Sequence, residues 1–288
     1  MMKQLLLYFS IMFSVSALAQ QDTTTVYSRP GYLKDPMRSK WHTKVTSKNG
    51  LYLVSFYDDQ DVLKEQIHFE DKSLSVRQGP YAFYTDGTIS TEGQYDKGHK
   101  NGEWKHFEKQ KLILLEHYTY GVLSGKYVSY WSNGNVKKEG SYLNGKKHGQ
   151  WIMLYPNGKT AAQETYIENG VLNNGQYFHT DGSVAEKNTL FRDAYYKDGE
   201  EAYLSKINEL IKYPSFAAKQ KMSGTVKVSF MVMSNGELKD FRIAESDNGM
   251  FNREALRVVK MLKNWAPALE FGEKTESTVI VPVVFKLP

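Results

Sequence analysis

The 288-residue chain has no cysteine, which excludes both a disulfide framework and lipid attachment to a cysteine at a processed N-terminus. Proline is scarce, at 8 residues, so the chain holds no stiff proline-rich spacer. Long hydrophobic runs are missing from the N-terminus. Leu5 to Val15 is broken by Ser10 and Ser14, short of the roughly 20 apolar residues a spanning helix needs. Nor does one sign of charge dominate, since 37 Lys plus Arg against 32 Asp plus Glu leave +5. That excess is too mild for nucleic-acid binding, which wants a concentrated basic face. Residues 203–288 carry most of it, with 13 basic against 9 acidic side chains.

Catalytic patterns are absent as well. His42, His68, His99, His106, His117, His148 and His179 are scattered, without the spacing of a metal site and with no Gly-x-Ser-x-Gly elbow or phosphate-binding glycine loop nearby. The expectation is a protein that is not an enzyme and needs no cofactor or metal. His99, His106 and His117 are the one group that pairing of adjacent hairpins could bring together.

What is present begins with export. Lys3 is the only charge before Asp22, and Ala17-Leu18-Ala19 is a small-residue cleavage pattern, so residues 1–19 read as a signal peptide. The expected location is the periplasm or cell envelope; left uncleaved, the segment would anchor the chain in the inner membrane. Residues 20–48 read as a basic arm, with Lys34, Arg38, Lys40, Lys44 and Lys48 around Trp41. Such an arm either contacts an anionic membrane surface or is a solvated lead-in.

Residues 49–190 are repetitive. The signature Tyr-x-x-Gly-x-x-x-Gly-x-Trp/Tyr appears at Tyr95, Gly98, Gly102 and Trp104; at Tyr118, Gly121, Gly125 and Tyr127; and at Tyr142, Gly145, Gly149 and Trp151. It recurs, with longer gaps, at Tyr166, Gly170, Gly175 and Tyr177. The second glycines fall 23, 24 and 26 residues apart, one supersecondary unit per repeat. Asp86-Gly87, Asn133-Gly134, Asn157-Gly158 and Asp181-Gly182 suit two-residue hairpin turns, whereas Glu108-Lys109-Gln110 predicts a looser one. In each repeat one glycine is expected to turn the chain and the other to let neighbouring hairpins approach. The pattern resembles MORN-type repeats, which implies an all-β array of stacked hairpins. Its Tyr and Trp rings then form either a packed spine or a binding surface for a protein, a lipid or an envelope polymer.

After a linker at 191–202, residues 203–288 form a second domain. Leu204, Ile207, Leu210 and Ile211 have helical spacing up to Pro214. Val226, Val228, Phe230 and Val232 alternate in a strand at 224–233, Asn235-Gly236 turns it, and 237–245 returns with a bulge between Leu238 and Phe241. A helix near 250–263 buries Phe251, Ala255, Val258, Val259 and Leu262 and turns Arg253, Arg257 and Lys260 outward. A last strand runs over about 277–287. The order α-β-β-α-β predicts an α+β domain with a three-stranded antiparallel sheet. Pro282 cannot donate to a ladder, so the last strand belongs at an edge.

With Tyr213-Pro214, the Gly224 to Phe230 strand, the Asn252 to Val259 helix, Trp265-Ala266-Pro267-Ala268 and Val281-Pro282-Val283-Val284-Phe285, the domain resembles the C-terminal domain of TonB-type energy transducers. That resemblance implies an edge strand that accepts an extended segment of an outer-membrane TonB-dependent receptor or another envelope protein, linked to transmembrane transport. The residues implied are Thr278, Val279, Ile280, Val281, Val283, Val284 and Phe285. The same domain is a candidate homodimer or docking unit, which would leave ligand binding to the repeats. The chain departs from a complete transducer in lacking the proline-rich spacer and any histidine before His42.

Overall fold

The structure is a computed structural model that describes residues 40–287. The expected signal peptide and residues 20–39 of the expected arm lie outside the described residues. The chain divides into two compact units, one reaching to Gly149 and including Ile167–Val171, the other formed by Gln150–Tyr166 and the chain from Leu172 onward.

Twelve strands pair antiparallel in chain order. They are β1 (His42–Lys48), β2 (Leu51–Tyr57), β3 (Leu63–Phe69), β4 (Arg77–Thr85), β5 (Thr88–Asp96) and β6 (His99–Glu108). The series continues with β7 (Lys111–Thr119), β8 (Val122–Tyr130), β9 (Val136–Leu143), β10 (Lys146–Leu154), β11 (Thr160–Tyr166) and β12 (Leu172–Tyr177). The expected hairpin array is therefore present, and it begins earlier than residue 49. His42 to Lys48, expected in the basic arm, pairs with β2 along its whole length. Thr43 and Val45 turn inward, Trp41 packs on Phe56 and Phe83 at 6.4 and 6.2 Å, and the Lys44 ammonium sits over Tyr57 at 4.7 Å. The lysines on the outward positions had masked a period-two pattern.

The turns depart from expectation in two ways. Lys109 and Gln110 make a turn as tight as the glycine-containing ones, since Glu108 pairs with Lys111 and both turn residues are left-handed, at φ 48° and 65°. Each such non-glycine residue costs about 1–2 kcal/mol, a strain held by the ladders on either side. Conversely, Asn133-Gly134, Asn157-Gly158 and Asp181-Gly182 sit in wider loops. There the Asn or Asp side chain accepts the N–H two residues on, at 3.0, 3.0 and 2.8 Å, and only the glycine is left-handed.

The first unit's spine is aromatic. Trp104 is 1 % exposed and meets Tyr81 and Tyr95 at 5.2 Å each and Tyr118 at 6.3 Å. The close approach expected of one glycine in each repeat is met unevenly: Gly102 and Gly149 have open space where a side chain would project, whereas a Cβ on Gly125 would come within 3.0 Å of His117 and one on Gly175 within 2.5 Å of Tyr177. Outside the repeat signature, a Cβ on Gly93 would run into the Trp104 ring.

In the second unit the segment expected as a linker is part of the fold. A short helix, α1 (Lys187–Leu190), is followed by β13 (Tyr195–Tyr196), which pairs with β16 (Trp265–Ala266). Next to it, β17 (Ala268–Glu270) and β18 (Glu273–Thr275) form a hairpin. Its tip residue Phe271 packs on Phe191 at 5.0 Å and Tyr155 at 5.6 Å, Arg192 bridges to Leu269, and the Gly272 N–H donates to the Leu190 carbonyl at 2.9 Å. Met153, Ala162, Tyr177 and Leu190 form the buried cluster beneath.

The C-terminal domain has the expected order. It runs α2 (Glu200–Leu210), α3 (Ser215–Lys219), β14 (Gly224–Val232), β15 (Leu238–Ser246), α4 (Asn252–Val259) after a 3-10 turn at Gly249–Phe251, and β19 (Ser277–Phe285). The three long strands pair in the order β15-β14-β19. Val226, Val228, Phe230 and Val232 meet Phe251, Ala255, Val258, Val259 and Leu262 in one core. The bulge in β15 falls at Asp240 and Phe241, where the register jumps and Asp240 takes φ 53°. Arg257 does not simply point outward: it binds the Glu254 carboxylate and the Leu210 carbonyl, at 2.6 and 2.7 Å, and so ties α4 to the end of α2.

Candidate functional site

β19 is a nine-residue strand, and it pairs with β14 without a register shift from Ser277↔Val232 to Phe285↔Gly224. Alternation divides its side chains. Val281, Val283 and Phe285 are 0–1 % exposed and belong to the core, with Phe285 stacked on Phe251 at 4.3 Å. Val279 is partly buried against the same core. Thr278, Ile280 and Val284 face solvent, Ile280 and Val284 with more than half their surface exposed. Of the seven residues implied by resemblance, four therefore support the strand from beneath and three present side chains.

The backbone divides on the same parity. Thr225 accepts from the Asp247 N–H at 3.1 Å, so the Thr225 and Lys227 amides face β15 and those of Gly224, Val226, Val228 and Phe230 face β19. Their partners Phe285, Val283, Val281 and Val279 then spend their N–H and C=O groups inside the sheet. Thr278, Ile280, Pro282 and Val284 aim theirs away from it. Pro282 contributes only a carbonyl there, which explains how proline sits in an unbroken ladder. The outer edge thus offers three N–H donors and four C=O acceptors.

Around the edge, Ile280 lies opposite Ser229, Pro282 opposite Lys227 and Val284 opposite Thr225. Lys227 is paired with Glu245 at 2.6 Å, and that hydrogen bond raises its pKa. The flank of β14 next to β19 thus carries Thr225, Lys227 and Ser229, with its one lysine already partnered.

Sequence reasoning missed a set of buried and half-buried carboxylates in the array. Glu65 is 1 % exposed and takes the Tyr81 hydroxyl at 2.9 Å. Glu164, at 4 %, takes those of Tyr166 and Tyr177 at 2.6 and 2.7 Å. Glu116 faces His106 at 3.4 Å and Tyr118 at 3.0 Å; the His106 contact and the Tyr118 hydroxyl hold its carboxyl below the ordinary range. Burial, with Glu116 beside it, pushes the Tyr118 hydroxyl up to about 12. For Glu116 and Glu164 the signal was a Glu two residues before a repeat tyrosine, which puts both side chains on one face; Glu65, two residues before Ile67, carried no such signal. The histidines do not gather, because His106 and His117 stand at positions of opposite parity on paired strands and so face opposite sides of the sheet. Among the described residues no group of three or more His, Asp or Glu is placed to hold a metal ion, and no described helix is long and apolar enough to cross a membrane.

Two family models match parts of the chain. Residues 209–287 match the family model of the Gram-negative bacterial TonB protein C-terminal. The TonB-like match thus covers α2 from its last turn through β19. Residues 123–144 and 147–168 match the MORN repeat variant, which spans the chain from β8 to β11. Among solved structures, the chain is similar to the NMR solution structure of Helicobacter pylori TonB-CTD (residues 194-285), with 21% identity over 30% of this chain and 90% of that one, at a TM-score of 0.25. A second solution structure of Helicobacter pylori TonB-CTD (residues 179-285) is 22% identical over 33% of this chain and 89% of that one, also at 0.25. No curated protein matches the chain.

Proposed function

We propose that this is an exported, TonB-like protein of the periplasm or cell envelope, whose C-terminal domain binds extended peptide segments of outer-membrane receptors by adding a strand to β19. The repeats serve as its scaffold, and the role is linked to transmembrane transport. The observation that carries this reading is the edge itself: nine residues long, rigidly backed by Val281, Val283 and Phe285, with its outward amides at Thr278, Ile280 and Val284. Main-chain pairing supplies affinity in such a mode, and alternate side chains supply selectivity. The match of residues 209–287 to the TonB C-terminal model supports the receptor as partner. No chemical step is assigned to the protein.

The test is binding of peptides from the N-terminal tails of outer-membrane receptors to the full chain and to its Ile280→Pro variant. Saturable binding that the variant lowers by tenfold or more supports the reading. Binding that the variant leaves unchanged removes β19 from it.

A further inference from the structure

One face of β10, β11 and β12 carries no charge over a contiguous grid. Gln150 and Ile152 on β10, Gln163 and Thr165 on β11, and Gln176 and Asn174 on β12 share that face. Period two places each pair together, and the register Gln163↔Gln176 and Thr165↔Asn174 aligns the last four. Trp151 and Glu164, at the intervening positions, are buried. Together these eight residues line a concavity of about 340 Å³, within the range of about 300–1,000 Å³ for small-molecule sites.

The amides of Gln150, Gln163, Asn174 and Gln176 are exposed and have no protein partner among the described residues. Lysine or glutamate would be the ordinary choice on a solvated strand face, because charge keeps sheets apart. A charged ligand would call for an exposed opposite charge, and the one charged residue of the lining, Glu164, is buried and held by the Tyr166 and Tyr177 hydroxyls. Each amide offers two donors and an acceptor, which suits a ligand dense in hydroxyl groups and free of formal charge. Ile152, half-buried on β10, gives an apolar patch for the C–H face of a ring. The strands repeat the amides at about 4.8 Å, close to the advance of one sugar ring along an extended chain. We propose that this face binds a neutral glycan strand lying across β10, β11 and β12, independently of the β19 edge.

The test is calorimetric titration of the full chain with cellotetraose and with chitotetraose, each at low and high salt. Saturable binding of at least one is expected, insensitive to salt, weakened about tenfold by Gln163→Ala with Gln176→Ala and untouched by Ile280→Pro. Gln163→Lys, which places a charge in the grid without emptying it, should also weaken it. The proposal is overturned if neither oligosaccharide binds, if binding fades with salt, or if it survives the double substitution in a protein that unfolds like the parent.

Discussion

Pro282 stands opposite Lys227 in an unbroken antiparallel ladder, at a position where its missing N–H costs the sheet nothing. The pairing fixes the parity of the whole strand: Val279, Val281, Val283 and Phe285 bond inward, while Thr278, Ile280 and Val284 have amides to spare.

Proline substitutions should therefore separate binding from folding along one strand. Ile280→Pro or Val284→Pro removes an outward donor, and receptor-tail binding should fall at least tenfold while the thermal midpoint moves little. Val281→Pro or Val283→Pro removes an inward donor together with a buried side chain, and should destabilise by about 3 kcal/mol or more. Thermal unfolding and peptide titration of the four variants check both halves.

Gly93 should be intolerant of any side chain. It has an ordinary backbone, yet a Cβ there would overlap the Trp104 ring, and Trp104 is the most enclosed ring of its unit. Gly93→Ala should destabilise by about 1–3 kcal/mol through overpacking, measured as a drop in denaturant midpoint with an unchanged slope.

Lys109-Gln110→Asn-Gly should stabilise the protein. Both native residues hold left-handed backbone in a two-residue turn, and Asn-Gly is the pair that adopts it with least strain. A gain of about 1 kcal/mol is expected; no gain would mean that neighbouring groups rely on the native pair.

Glu254 gives the TonB-like domain an acid limit. The Arg257 hydrogen bond, then the Lys212 N–H, hold its carboxyl below the ordinary value of 4.5. As the pH falls, the unfolded chain takes up this proton before the folded chain does. The contribution is thus full above about pH 4.5 and is lost as the pH falls through the folded value. Glu254→Gln should lower the thermal midpoint by a few degrees at neutral pH and by less in acid; an equal loss at both would contradict the assignment.

Much of this was legible in residue order. Alternation in Val226 to Val232, the helical spacing of Phe251 to Leu262 and the proline at 282 specify the C-terminal sheet, its cover and its edge strand by local rules. What was hidden depended on partners far away in the chain. Tyr195 and Tyr196 look like a linker because their strand is two residues long and its mate is Trp265 and Ala266. β1 was masked by lysines whose stems lie along the sheet, and the Lys109-Gln110 turn is tight because its flanking strands hold it. At the edge, the sequence pointed to the strand, but only the bonding of Thr225 to Asp247 decides which of its amides are available.

The central claim is most directly tested by amide hydrogen exchange of the full chain with and without a saturating receptor-tail peptide. The full chain matters, because Tyr196, Phe191 and Tyr155 pack on Trp265 and Phe271 and a fragment beginning at Tyr203 would lose them. Exchange at Thr278, Ile280 and Val284 should slow on binding, with Val279, Val281 and Val283 already slow in the free protein. Protection appearing instead along β15 or in the repeats, with those three amides unchanged, would contradict the account.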